Sequence, residues 1–87
     1  MENSKIFVPY TDEKYEALVF DKNGQCTDYY DPISSISVND VCVIIDNTYH
    51  DYEIELTRVG KIYVRPYDNT IYGWGTLTGN EMLIFGV

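Results

Sequence analysis

The sequence predicts a single all-β domain over residues 1–87, folded as a small antiparallel barrel or sandwich of six to eight short strands. Short runs rich in β-branched and aromatic residues alternate with turn residues along the chain, which is typical of such folds. Apolar residues at helical spacing are absent from any window long enough for a helix. No internal repeat, low-complexity segment or linker divides the chain.

Three strands are predicted near the start of the chain, at residues 5–9, 15–21 and 25–30. Pro9 ends the first strand, because proline has no amide proton for a ladder hydrogen bond. Pro32 is a signal for the start of a helix, so residues 31–37 are predicted to form one short helical turn.

The most specific local pattern is the tetrapeptide Asp21-Lys22-Asn23-Gly24. Aspartate is favoured at the first position of a type I turn, and glycine accepts the left-handed conformation of the bulge that follows. The pattern predicts a hairpin in which Phe20 pairs with Cys26 and Leu18 pairs with Asp28.

The middle of the chain contains two further strand patterns. Residues 41–45 are five apolar residues in succession, which predicts a central strand covered on both faces. Residues 52–57 alternate between apolar and polar side chains, as in a strand with one buried face. The inward set is Tyr52, Ile54 and Leu56, and the outward set is Glu53 and Glu55.

The strand predicted at residues 62–67 is expected to pair with residues 52–57 through a three-residue loop, 59–61. This loop places Leu56 opposite Val64, whereas a shorter loop would mix the two faces of the hairpin. The same register sets Glu55 opposite Arg65, which would partly neutralise that carboxylate.

Two strands are predicted at the end of the chain, at residues 71–77 and 82–85, and the last one docks on the sheet. Trp74 lies between two glycines and is predicted to be a core anchor, with an exposed ring as the alternative. Among small β folds, an SH3-like barrel fits this succession of strands best.

The charge balance argues against some classes of partner. Fourteen acidic and six basic side chains give a net charge of −8. A surface this negative repels nucleic acids and anionic membranes, so direct binding to either is not expected. It attracts basic protein surfaces, although solubility alone is an equally good reason for the charge.

The cysteines and the N-terminal residues bear on the compartment. Cys26 and Cys42 match no zinc or redox motif, and their pairing as a disulfide is left open. The first residues lack the pattern of a signal peptide, and no apolar run reaches transmembrane length. The expectation is a cytoplasmic protein, in the host cytoplasm if it is encoded by a phage.

Catalytic motifs are lacking from the sequence. His50 is the only histidine, and no nucleophile elbow accompanies it. Residues 73–75 lack the lysine and the serine or threonine of a phosphate-binding loop, and no helix pattern follows them. Residues 46–53 lack the alternating ligand spacing and the central glycine of a calcium loop. We therefore expect a protein without enzymatic activity, metal or cofactor.

Tyrosines next to acidic residues are the most informative feature for function. Nine tyrosines occur in 87 residues, and two clusters, at residues 28–31 and 49–53, combine them with carboxylates. Tyrosine is common in strands for packing reasons, but it is also enriched at protein interfaces and can contact arginine and lysine. The candidate partner-binding residues are Asp21, Asp28, Tyr29, Tyr30, Asp31, Asp46, Tyr49, Asp51, Tyr52, Glu53 and Glu55.

Two functions follow from these observations. The first is a non-enzymatic inhibitor or nucleic-acid mimic that blocks a basic surface of a nucleic-acid-binding protein, as phage-encoded anti-CRISPR and other anti-defence proteins do. That comparison is one of composition only. The alternative is a structural or assembly module, such as a virion component or an immunity-type protein, that forms a homodimer or joins a complex through exposed strand edges.

Overall fold

The computed structural model describes residues 3–10, 12–47, 49–67 and 76–86. Within these residues the chain forms eight strands and one short 3₁₀ turn, Leu56–Arg58, between the sixth and seventh strands. The strands are β1 Ser4–Phe7, β2 Tyr15–Phe20, β3 Cys26–Ile33, β4 Ser35–Val38, β5 Cys42–Asp46, β6 Asp51–Glu55, β7 Lys61–Pro66 and β8 Met82–Phe85.

The strands form two antiparallel four-stranded sheets. The first sheet has the order β1-β4-β5-β6, and the second has the order β3-β2-β7-β8. The prediction of an antiparallel all-β fold is therefore confirmed. In the described residues the two sheets remain separate ladders and do not close into a barrel, so an SH3-like barrel is not confirmed.

The core lies between the two sheets and is built from alternate residues of their strands. The first sheet contributes Ile36, Val43, Ile45 and Ile54, and the second contributes Ala17, Val19, Ile62 and Val64. All eight side chains are buried. This burial explains the period-two apolar pattern of the strands, because one face of each must leave water.

The strand covered on both faces is β2 rather than the run at residues 41–45. Ala17 and Val19 face the core, and Leu18, which points to the other side of the sheet, is also fully buried. Strand β5 is an inner strand as predicted, but Val41 lies outside it and is 57% exposed, and Ile44 is only partly buried. The prediction of two covered faces was wrong for β5, because only one of its faces meets the opposite sheet.

The predicted hairpin turn between β2 and β3 is confirmed. Gly24 has a positive φ of 86°, and its amide donates to the Asp21 carbonyl oxygen at 3.1 Å. The Asp21 carboxylate accepts two further hydrogen bonds, from the amides of Asn23 and Gln25, both at 2.9 Å. Asp21 is therefore a structural residue of the turn.

The register beyond this turn differs from the prediction. Phe20 pairs with Cys26 as expected, but a bulge then shifts the ladder, so that Asp28 pairs with Val19 rather than Leu18. A bulge places two residues of one strand opposite a single residue of the other. Asp28 and Tyr30 consequently lie on the same side of the sheet as the core residues Val19 and Ala17.

The helical turn predicted at residues 31–37 does not form. Residues 31–33 complete β3, and Ser35–Val38 is β4, which pairs with both β1 and β5. Ile36 and Val38 alternate with Ser35 and Ser37, a period of two that suits a strand and outweighs the helix-start signal of Pro32.

The hairpin predicted between residues 52–57 and 62–67 was also wrong. Strand β6 pairs with β5 in the first sheet, whereas β7 lies between β2 and β8 in the second. The 3₁₀ turn and Val59, which is buried, carry the chain from one sheet to the other. Glu55 therefore lies opposite Cys42, and Arg65 lies opposite Glu16.

The remaining strand predictions concern the two ends of the chain. Strand β1 ends at Phe7, before Pro9. Strand β8 has the predicted bounds and docks on β7. The strand predicted at residues 71–77 falls mostly outside the described residues, as does Trp74, and residues 76–77 are not in a strand.

A buried ion-pair network lies on the outer side of the second sheet. The Arg65 guanidinium donates to Glu16 at 2.6 Å and to Glu81 at 2.8 Å, and also to the carbonyl oxygen of Thr76 at 2.8 Å. All three charged side chains are more than nine-tenths buried. Burial opposes ionisation of Glu81, but hydrogen bonds from Thr78, Arg65 and Gly79 lower its pKa to about 2.

We predict that Arg65→Met lowers the free energy of unfolding by about 3–5 kcal/mol, because it leaves two buried carboxylates without a cation. Urea denaturation at pH 7 measures the change. Arg65→Lys retains the charge without the planar fork and should lose less stability. Arg58→Met removes an exposed arginine and should change stability by no more than about 0.5 kcal/mol. Equal losses for Arg65→Met and Arg58→Met would contradict the network's structural role.

Candidate functional site

Four of the predicted site residues lie on the outer face of the first sheet. Asp51, Glu53 and Glu55 alternate along β6 with the buried Ile54, and Asp46 lies opposite Asp51 on β5. Paired residues of an antiparallel ladder point to the same side, so the four carboxylates share one face. We call Asp46, Asp51, Glu53 and Glu55 the acidic face.

The acidic face contains little positive charge to neutralise it. Lys5, on β1, is the one basic residue in the four strands of this sheet. Lys5 pairs with Ser37, Ser37 with Ile44, and Ile44 with Glu53, so three strand pairings separate Lys5 from Glu53 across the sheet. In the part of the chain that the structure describes, the ion pairs are those of Arg65, and no acidic-face carboxylate takes part in them.

Asp46 and Asp51 form a closely placed carboxyl pair at the end of the β5–β6 hairpin. A hydrogen bond with Asp51, burial and repulsion by the Asp51 charge together raise the pKa of Asp46, and Lys5 partly opposes the shift. Like charges directly opposite each other in a ladder repel. The sheet therefore holds two carboxylates together at some cost in electrostatic energy.

A second group of predicted residues lies where the edge strands of the two sheets meet. The rings of Tyr30, on β3, and Tyr52, on β6, have centroids 4.9 Å apart, and His50 lies 5.9 Å from Tyr52. The Tyr30 hydroxyl donates to Asp28 at 3.4 Å. We call Asp28, Tyr30, His50 and Tyr52 the tyrosine edge.

Tyr52 lies between Asp51 and Glu53 along β6 but points to the other side of the sheet, so the tyrosine edge borders the acidic face around the free edge of β6. Tyr52 is 37% exposed, so it is less inward than the sequence predicts. Burial and the Asp28 charge raise the pKa of Tyr30 to about 12, so its hydroxyl stays protonated even in alkaline solution where an ordinary tyrosine ionises. The edge therefore offers three rings, two tyrosine hydroxyls and one carboxylate.

The other predicted site residues do not join these two groups. Asp21 holds the β2–β3 turn, and Tyr29 points to the side of the second sheet opposite Tyr30. Asp31 is exposed on β3, where partial burial raises its pKa against the influence of Lys14. Tyr49 is 84% exposed in the β5–β6 loop. Seven of the eleven candidates thus belong to the acidic face or the tyrosine edge.

The sequence did not point to Lys5, Ser37 and Ile44 as neighbours of the acidic residues. Their positions depend on which strands pair, because β1 and β4 join the sheet from distant parts of the sequence. The alternation of serine and aliphatic residues at 35–38 could have indicated a strand beside β5.

Other chemical features of the described residues are limited. No group of three or more histidine, cysteine, aspartate or glutamate side chains in these residues is arranged to hold a metal ion. Cys26 and Cys42 are both free thiols. None of the described segments forms a helix that is long and apolar enough to span a membrane.

Comparison with models of known families, with curated proteins and with solved structures finds no match to this chain.

We predict that Asp51→Asn lowers the pKa of Asp46 toward its ordinary value, because the substitution removes the facing charge and its repulsion. The titration of the Asp46 side-chain carboxyl carbon, followed by NMR, measures the shift. Glu53→Gln, which removes a charge from the next outward position of β6, should leave the Asp46 midpoint nearly unchanged. A midpoint unaffected by Asp51→Asn would show that the two carboxyls are not coupled.

Proposed function

We propose that this protein is a non-enzymatic binding protein that places its acidic face on a basic surface of a protein partner and blocks that surface. The observation that supports this most is the gathering of four carboxylates on neighbouring strands, without an ion pair to them in the described residues. Such a face attracts a basic partner and speeds its encounter, most strongly at low salt.

The spacing along β6 favours a surface that otherwise holds nucleic acid. Outward residues two positions apart on a strand lie about 6.8 Å apart, close to two steps along one strand of DNA at about 3.4 Å each. Glu53 and Glu55 have this relation. The predicted hairpin would have set Arg65 opposite Glu55 and partly neutralised that carboxylate. Arg65 instead lies in the other sheet, so this neutralisation does not occur.

The tyrosine edge would extend the same contact. Tyr52 and the adjoining Tyr30 lie on the other side of β6, an edge strand, so a partner that covers the acidic face reaches them by extending around this edge. Arginine and lysine side chains stack favourably on tyrosine rings. A partner rich in these residues would gain both ion pairs and ring contacts. We propose that the protein acts in this way in the host cytoplasm, as a phage-encoded anti-CRISPR or other anti-defence inhibitor.

We predict that the double substitution Glu53→Gln and Glu55→Gln weakens binding to a labelled deca-arginine peptide by about 2- to 10-fold at low salt, on the basis of two exposed ion pairs. Fluorescence anisotropy at two salt concentrations measures the affinity. Amide shifts induced by the peptide should concentrate in β5 and β6.

The matched control is the pair Asp12→Asn and Asp40→Asn, which removes the same charge from exposed positions outside the acidic face. It should weaken peptide binding less than the β6 substitutions do. If both double variants lose the same affinity, or if the peptide shifts amides throughout the chain, attraction comes from net charge and the proposed face is wrong.

Assembly through strand β8 is the second candidate function. This strand is an edge of the second sheet, and its apolar residues Met82 and Leu83 are 51% and 43% exposed. An apolar strand edge can pair with another chain. Sedimentation equilibrium would distinguish the two functions: a salt-insensitive dimer that Leu83→Lys dissociates supports assembly, whereas a monomer at all concentrations contradicts it.

A further inference from the structure

A cavity of about 520 Å³ opens at the β2–β3 turn, on the outer side of the second sheet. Its lining includes Phe20, Lys22, Gly60, Lys61, Tyr63 and Leu77. The volume lies within the range of pockets that bind small molecules. Because the acidic face belongs to the outer side of the first sheet, the cavity is separated from it by the core.

Tight backbone packing forms the walls of this cavity. The Gly60 amide donates to the Phe20 carbonyl oxygen at 2.7 Å, and a side chain at Gly60 would collide with the Asp21 carbonyl oxygen. A side chain at Gly86 would collide in turn with the Gly60 carbonyl oxygen. Three backbone segments therefore meet here without space between them, which fixes the positions from which Lys22 and Lys61 extend.

The charge of the cavity is opposite to that of the whole protein. Lys22 and Lys61 are two of the six basic residues in a chain of net charge −8. Neither belongs to the ion pairs found among the described residues. Among the described residues that line the cavity, Asp21 supplies the one carboxylate, which already accepts two backbone hydrogen bonds. Lys22 also lines an adjoining cavity, and Arg58 is a second cation there.

An aromatic wall accompanies the two lysines. The rings of Phe20 and Tyr63 meet edge to face, with centroids 5.6 Å apart, and Leu77 also lines the cavity. Aromatic rings prefer such offset or edge-to-face neighbours, so a further ring can pack against this pair. Lysine ammonium groups bind phosphate as point charges.

We propose that this cavity binds a small aromatic phosphate, with the aromatic ring against Phe20, Tyr63 and Leu77 and the phosphate between Lys22 and Lys61. The site does not depend on the acidic face or on the function proposed for it. It requires the two lysines and the ring wall together, so neither a phosphate ion nor an uncharged ring alone should occupy it as well.

Phenyl phosphate is a suitable probe, with inorganic phosphate and phenol as its two parts. NMR titration should shift the amides of Lys22, Gly60, Lys61 and Tyr63 with a Kd on the order of 1 mM, as expected for a ligand of this size. Each part alone should bind roughly tenfold more weakly, because it makes only one of the two kinds of contact.

Lys61→Gln and Lys22→Gln should each weaken phenyl phosphate binding by roughly fivefold. Lys14→Gln removes the same charge from an exposed position outside this cavity and should leave the Kd unchanged. The proposal is overturned if phenyl phosphate does not shift these amides, if inorganic phosphate binds equally well, or if all three lysine variants lose the same affinity.

Discussion

The buried pairing of Arg65 with Glu16 and Glu81 is the interaction on which the second sheet depends. It joins β2 and β7 to the segment that precedes β8, and it does so on the side of the sheet that faces away from the core. Removing one member would leave charge in a site that water cannot reach, whereas the complete network satisfies each charge. Strand β2 can therefore be covered on both faces in a domain of only 87 residues.

The same network influences how the remaining charge is distributed. Arg65 takes two of the fourteen carboxylates into the interior and is itself removed from the surface. Four other carboxylates share the outer face of the first sheet, while Lys22 and Lys61 line the cavity on the outer side of the second. Negative charge is thus gathered on the outer face of one layer, whereas two lysines line a cavity on the other, and the two proposals assign each layer its own kind of ligand.

Local patterns in the sequence predicted individual strands and turns well, whereas long-range pairing could not be read from them. The Asp21–Gly24 turn follows from residue types alone, because glycine is needed at a positive φ. The location of Arg65 does not follow from residue types. The strand pattern predicted β7 beside β6 in one sheet, whereas a 3₁₀ turn carries the chain from β6 to the other sheet. Glu53 and Glu55 were predicted correctly to point outward, but their neighbours depend on that pairing.

The central claim is that negative potential is concentrated on the acidic face of the first sheet. Paramagnetic relaxation of amide protons by a cationic nitroxide, compared with a neutral nitroxide of the same size, measures this potential residue by residue. We predict the largest cationic-to-neutral ratio of relaxation rates at Asp51–Glu55 and Cys42–Asp46, and the smallest near Lys22 and Lys61. A uniform ratio along the chain, or a maximum outside these two strands, would contradict it.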